Sequence, residues 1–141
     1  MYVGMDKGSQ EDALSKNEPV PLSERQLEIM NVVWERGETT VADVWLALTR
    51  RGKIARNTVL TLMQRLEEKG WLRHRAEGNV FLYSATRAKE SALGKMVSRL
   101  VDTAFQGSAE GLVMTLLDAR GVSSQELARI RDMIDRAGRK K

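Results

Sequence analysis

The sequence predicts a mainly α protein with a small β-wing: a winged helix-turn-helix domain followed by a C-terminal helical dimerisation region. Three observations carry that prediction. Apolar residues recur at helical spacing in three successive segments. The period then switches to two across a short hairpin. Three more helical stripes follow and run towards the C-terminus. Three helices and then a two-stranded wing is the order of the winged variant of helix-turn-helix.

The elements follow in chain order. Residues 1–19 are polar and acidic, with no apolar periodicity, and read as a flexible tail ending at Pro19-Val20-Pro21. The first helix starts after Ser23, which has capping-box spacing to Gln26, while Leu22 and Leu27 have the spacing of a hydrophobic staple. Leu27, Met30, Val33 and Trp34 form its stripe, and Gly37 ends it. A second helix begins near Thr40, with Val41, Val44, Trp45 and Leu48 on one face and Asp43 in the first turn. The third spans residues 56–69, with Val59, Leu62, Met63 and Leu66 inward and Gly70 as its stop. Residues 71–75 and 80–84 read as strands joined by a turn over residues 76–79, where Gly78 and Asn79 tolerate positive φ. The domains expected are a tail over 1–19, a winged helix over 20–86 and a helical dimerisation region over 87–141.

Composition narrows the function. With 141 residues the chain holds one or two small domains. It has no cysteine, which excludes disulfides and thiolate chemistry, and its one histidine, His74, argues against a structural zinc. No cofactor or metal is expected. No paired carboxylates at a recognisable spacing, nucleophile motif or glycine-rich phosphate loop points to an enzyme. No apolar run approaches the ~20 residues of a membrane span, and the first residues lack a signal-type apolar core, so a cytoplasmic location without membrane insertion is expected.

Charge is uneven. The whole chain carries +4, yet residues 50–75 hold eight bases and two acids, Glu67 and Glu68, for a net +6. A phosphate-facing surface needs such a local excess. On charge alone, a solvated basic face accounts for it equally well.

The third helix adds the side chains that read bases. Its outer face carries Asn57, Thr58, Thr61, Gln64 and Arg65, and Arg56 opens it. Asparagine matches an adenine edge, arginine a guanine edge or a phosphate, and threonine offers a hydroxyl and a methyl. Threonine is a mediocre helix former, so propensity does not explain two of them on an exposed face. In the wing, Arg73 and Arg75 share one strand face and are candidate phosphate contacts. His74 lies on the other face and reads as a structural or hydrogen-bonding residue. Phe81 and Tyr83 share a face and read as packing. Trp34, Trp45 and Trp71 read as core.

Several of these motifs together resemble the BlaI/MecI penicillinase-repressor family. They are residues 22–30 (LSERQLEIM), Val33-Trp34, Asn57-Thr58-Val59, Thr61-Leu62-Met63, Arg65-Leu66, Lys69-Gly70 and, in the wing, residues 80–83 (VFLY). The resemblance covers about residues 20–136 and implies a dimeric repressor. Its targets would be near-palindromic operators in double-stranded DNA with TACA/TGTA half-sites. It further implies, as a partner, a membrane-bound sensor protease that relieves repression. The founding repressors are cut in a helix reading like LVLNF. Residues 112–116 match it here, with Thr115-Leu116 at the cleavage position. Relatives of the CopY type sense copper through C-terminal cysteines, which this chain lacks. Ala55 replaces the family's usual serine cap on the third helix.

The last stripes need a partner. Leu93, Met96, Val97 and Leu100, then Leu112 and Leu116, then Leu127, Ile130 and Ile134, form apolar faces in a segment too short to bury much by itself. They can cover the winged helix or a second subunit; the resemblance favours the second subunit, which makes them the expected homodimer contacts. The alternative is a winged-helix protein–protein interaction module without specific DNA binding.

Overall fold

The computed structural model describes residues 20–139, and in them six helices and three strands follow one another. They are α1 (Glu24–Arg36), β1 (Glu38–Thr39), α2 (Val41–Thr49), α3 (Arg56–Glu68), β2 (Leu72–Glu77), β3 (Val80–Ala85), α4 (Lys89–Ala104), α5 (Ala109–Ala119) and α6 (Ser124–Arg139). The expected tail over residues 1–19 lies outside the described residues. The chain divides into two units between Gly94 and Lys95, inside α4.

In the first unit, local chemistry sets each helix end. The Ser23 hydroxyl accepts from the Gln26 N–H at 3.2 Å, and the Gln26 side chain accepts from the Ser23 N–H at 3.0 Å, a complete capping box. Gly37 ends α1 at φ +83, where its N–H reaches the Val33 carbonyl. Thr40 caps α2 by accepting from the Asp43 N–H at 3.1 Å. The three helices then close one core. It consists of Ile29, Met30 and Val33 of α1, Val44 and Leu48 of α2, Val59, Met63 and Leu66 of α3, with Trp71, Leu72, Tyr83 and Ala92. Burying each large aliphatic side chain contributes about 1.5–3 kcal/mol.

The structure differs from the sequence reading in three places. The sheet has three strands, in the antiparallel order β1-β3-β2, because Glu38 and Thr39 pair with Ser84 and Tyr83. Two residues carry no detectable alternation, so β1 escapes a periodicity search. The wing strands also run farther than the apolar pattern suggests, the first to Glu77 and the second to Ala85. Only Gly78 and Asn79 remain as the turn, with Gly78 at φ +62, the first central position at which a two-residue II′ hairpin places its glycine. Lastly, Trp71 is buried, whereas Trp34 and Trp45 are half-buried against the core. Each indole keeps its polar edge satisfied. Trp34 Nε1 donates to the Arg87 carbonyl at 2.9 Å, Trp45 Nε1 to Ile54 at 2.8 Å and Trp71 Nε1 to Val20 at 2.7 Å. The tryptophans thus pin three chain segments that have no helix or strand of their own.

The second unit is built differently. Its helices are locally well formed. α4 ends at Gln106 and Gly107, which take φ +49 and +85. Ser108 caps α5 through the Gly111 N–H at 2.9 Å, and Ser123 accepts from the Glu126 N–H at 3.1 Å at the start of α6. Yet no described residue after Gly94 is buried.

Candidate nucleic-acid interface

Helix α3 is held by one face and open on the other. Val59, Met63 and Leu66 are fully buried, spaced so that a single stripe faces the core. Arg56, Asn57, Thr58, Thr61, Gln64 and Arg65 are all exposed. The structure therefore places every expected α3 site residue on the solvent side of a rigidly seated helix. The loop that delivers α3 is fixed by the Trp45–Ile54 hydrogen bond.

The first turn of α3 has no side-chain cap, since Ala55 occupies the N-cap position. A missing cap costs about 1 kcal/mol. It also leaves first-turn N–H groups free for another acceptor, and a helix N-terminus favours an anion there.

The wing follows α3 directly. Gly70 at φ +91 turns the chain, and the Trp71 N–H bonds back to the Leu66 carbonyl at 2.8 Å. Thr86 clasps the hairpin's root: its hydroxyl donates to the Gly70 carbonyl at 2.6 Å, and its N–H donates to the Trp71 carbonyl at 3.0 Å. Sequence periodicity has no signal for such a contact.

The two wing arginines have different surroundings. Arg75 is committed within the protein. Its guanidinium donates to both oxygens of Glu38, at 2.7 and 3.0 Å, and to Glu77 at 3.0 Å. The Arg75 hydrogen bonds hold the Glu38 carboxyl below its ordinary range, and Glu38 and Glu77 push the Arg75 pKa up. Arg73 is exposed and has no carboxylate partner among the described residues. Strand alternation put the two on one face, but it could not show that Glu38, 37 residues earlier in the chain, claims Arg75.

His74, on the opposite face of β2, is tied to α3. Its Nδ1 lies 2.8 Å from both carboxylate oxygens of Glu67 and donates to them. Its ring stacks on Phe81 at 4.3 Å and tilts against Tyr83 at 5.3 Å. Tyr83 is buried, and burial first, then the Glu67 charge, raises its pKa above the ordinary value. Phe81 packs on His74 while staying half open to solvent.

Among the described residues, no group of His, Asp and Glu could hold a metal ion, and no helix is long and apolar enough to cross a membrane.

Known proteins similar to this chain identify its family. The penicillinase repressor family model matches residues 22–136. A penicillinase repressor from Bacillus licheniformis is 23% identical over 114 residues, covering 81% of this chain and 89% of that protein. The methicillin resistance regulatory protein MecI of Staphylococcus aureus is 18% identical over 120 residues, covering 85% and 98%. Among solved structures, the DNA-binding domain of the repressor BlaI is 31% identical, with a TM-score of 0.45 over 48% of this chain and 83% of that one. The Bacillus licheniformis BlaI monomer in complex with the blaP half-operator is 29% identical, with a TM-score of 0.46 over 52% and 89%. A match that spans most of the chain, on a winged-helix scaffold that presents α3, places this chain in the penicillinase repressor family of DNA-binding transcriptional regulators.

Proposed function

We propose that the chain is a homodimeric, sequence-specific repressor that binds a near-palindromic operator with TACA/TGTA half-sites. The observation that carries this reading is the two-sided character of α3. Three fully buried residues lock one face, and the opposite face presents Arg56, Asn57, Thr58, Thr61, Gln64 and Arg65, side chains suited to base edges and phosphates, with Glu68 exposed in the last turn. Asn57, Thr58, Thr61, Gln64 and Arg65 read the major groove. Arg56 and the uncapped first turn meet phosphate. Arg73 is the wing's phosphate contact. Arg75, held by Glu38 and Glu77, acts chiefly in shaping the wing.

Dimerisation is supported by what the second unit leaves open. Val97, Leu100, Leu116 and Ile134 are 45–58% exposed. Met96, Leu112, Leu127 and Ile130 are half-buried at best, as is Leu93 near the end of the first unit. A homodimer covers these apolar faces and sets two copies of α3 at a fixed spacing, which a palindrome requires. Release by a membrane-bound sensor protease follows the family resemblance. Thr115 and Leu116 are exposed on α5, and cutting there divides the dimerising unit.

The test is a fluorescence-anisotropy titration with a duplex carrying two TACA/TGTA half-sites, run from about 50 to 200 mM salt. Binding should be tighter than to a scrambled duplex and should fall steeply with salt. Equal affinity for both duplexes contradicts the reading.

A further inference from the structure

An acid on a DNA-facing helix repels phosphate, so Glu67 needs a reason to be in the most basic stretch of the chain. Its carboxylate is engaged by the wing. Both of its oxygens sit 2.8 Å from Nδ1 of His74, and the two side chains are each about one-third exposed. The imidazole is gripped on its other sides by the stacked Phe81 ring and the buried Tyr83. Arg73, the neighbouring residue, projects from the opposite strand face. The hairpin root is already fixed at Gly70 and Trp71 by the Thr86 clasp. β1 also holds the hairpin, through its pairing with β3 and the Arg75–Glu38 hydrogen bonds. The Glu67–His74 contact ties β2 to α3 itself.

We propose that Glu67 and His74 are positioning residues for DNA binding: their contact sets the wing's direction against α3, so that Arg73 meets a phosphate while α3 reads bases. This rests on the reading of α3 and Arg73 as DNA contacts. It makes a prediction opposite in sign to simple electrostatics. Deleting a carboxylate beside DNA should strengthen binding. Deleting this one should weaken it.

The experiment is anisotropy binding of the full-length chain to the two-half-site duplex across the same salt series. It compares wild type, Glu67→Ala, Glu67→Gln, Arg73→Ala and Glu67→Ala/Arg73→Ala, with thermal melts followed by circular dichroism to check folding. Glu67→Ala is expected to weaken binding roughly tenfold and to flatten the salt slope by about 1 per subunit, as Arg73→Ala does. The double variant should lose nothing further in slope. Glu67→Gln removes the same charge but keeps an acceptor for His74 Nδ1–H, and should bind at least as tightly as wild type. Where Glu67→Ala does not fold, His74→Ala deletes the contact from the wing side and should give the same slope loss. Unchanged or tighter binding by Glu67→Ala overturns the proposal. So do equal behaviour of the Ala and Gln variants, additive slope losses, and a wild-type slope in His74→Ala. A wild type with no operator preference, or an Arg73→Ala slope equal to wild type's, overturns the DNA-contact reading beneath it and the proposal with it.

Discussion

The two units of this chain solve the burial problem in opposite ways. The first closes a core of a dozen buried apolar residues drawn from three helices, the wing and the start of α4. The second has helices with sound caps and regular stripes, yet buries no described side chain. Periodicity alone does not distinguish them, since both show apolar faces at helical spacing. The difference lies in what each face meets. In the first unit the stripes face one another. In the second they remain open, and burying that apolar surface would favour the association proposed above.

The largest effect is expected in the first core. Leu66→Ala removes a fully buried side chain and should cost roughly 3 kcal/mol in urea denaturation, with a midpoint independent of protein concentration. A cost below 1 kcal/mol means that α3 is not seated as described. In the second unit, Leu116→Asp should act on assembly instead. It is expected to yield monomers by analytical ultracentrifugation and to lower affinity for a two-half-site duplex roughly 100-fold, leaving single half-site binding intact. A dimer with undiminished affinity places the interface elsewhere.

Two smaller changes sharpen the picture. Ala55→Ser supplies the absent cap of α3 and should stabilise the first unit by about 1 kcal/mol, read as a higher denaturation midpoint. Thr39→Val addresses the core's visible flaw, a buried Thr39 hydroxyl without a hydrogen-bond partner among the described residues. Replacing it by a methyl of the same shape should be neutral or raise stability by up to about 1 kcal/mol. A loss of stability with Thr39→Val shows that the hydroxyl has a partner.

Much of the first unit was legible in the residues because its cues are local. Ser23 and Gln26 stand three apart, and they form the capping box. Val59, Met63 and Leu66 recur with the helical period, and that spacing alone defines α3 and its outward face. Partnerships across the fold were not legible. Glu38 meets Arg75 from 37 positions away, and Trp34 bonds to Arg87 across 53. Nothing in strand alternation separates a committed arginine from an available one. β1 is defined only by its neighbour β3, and Thr86 matters only because the hairpin root folds beneath it. The polar face of α3 was visible for the same reason its helix was. The struts that aim the wing were not, because they depend on which strand lies beside which helix.

The most direct test of the central claim, that the outer face of α3 reads bases, is a comparison of wild type with Thr61→Ala. Both are titrated against the operator duplex and its single-base variants. Loss of about 1–3 kcal/mol on the operator, with discrimination abolished at one base position and retained elsewhere, is the predicted result. An equal loss on every duplex, or none, contradicts it.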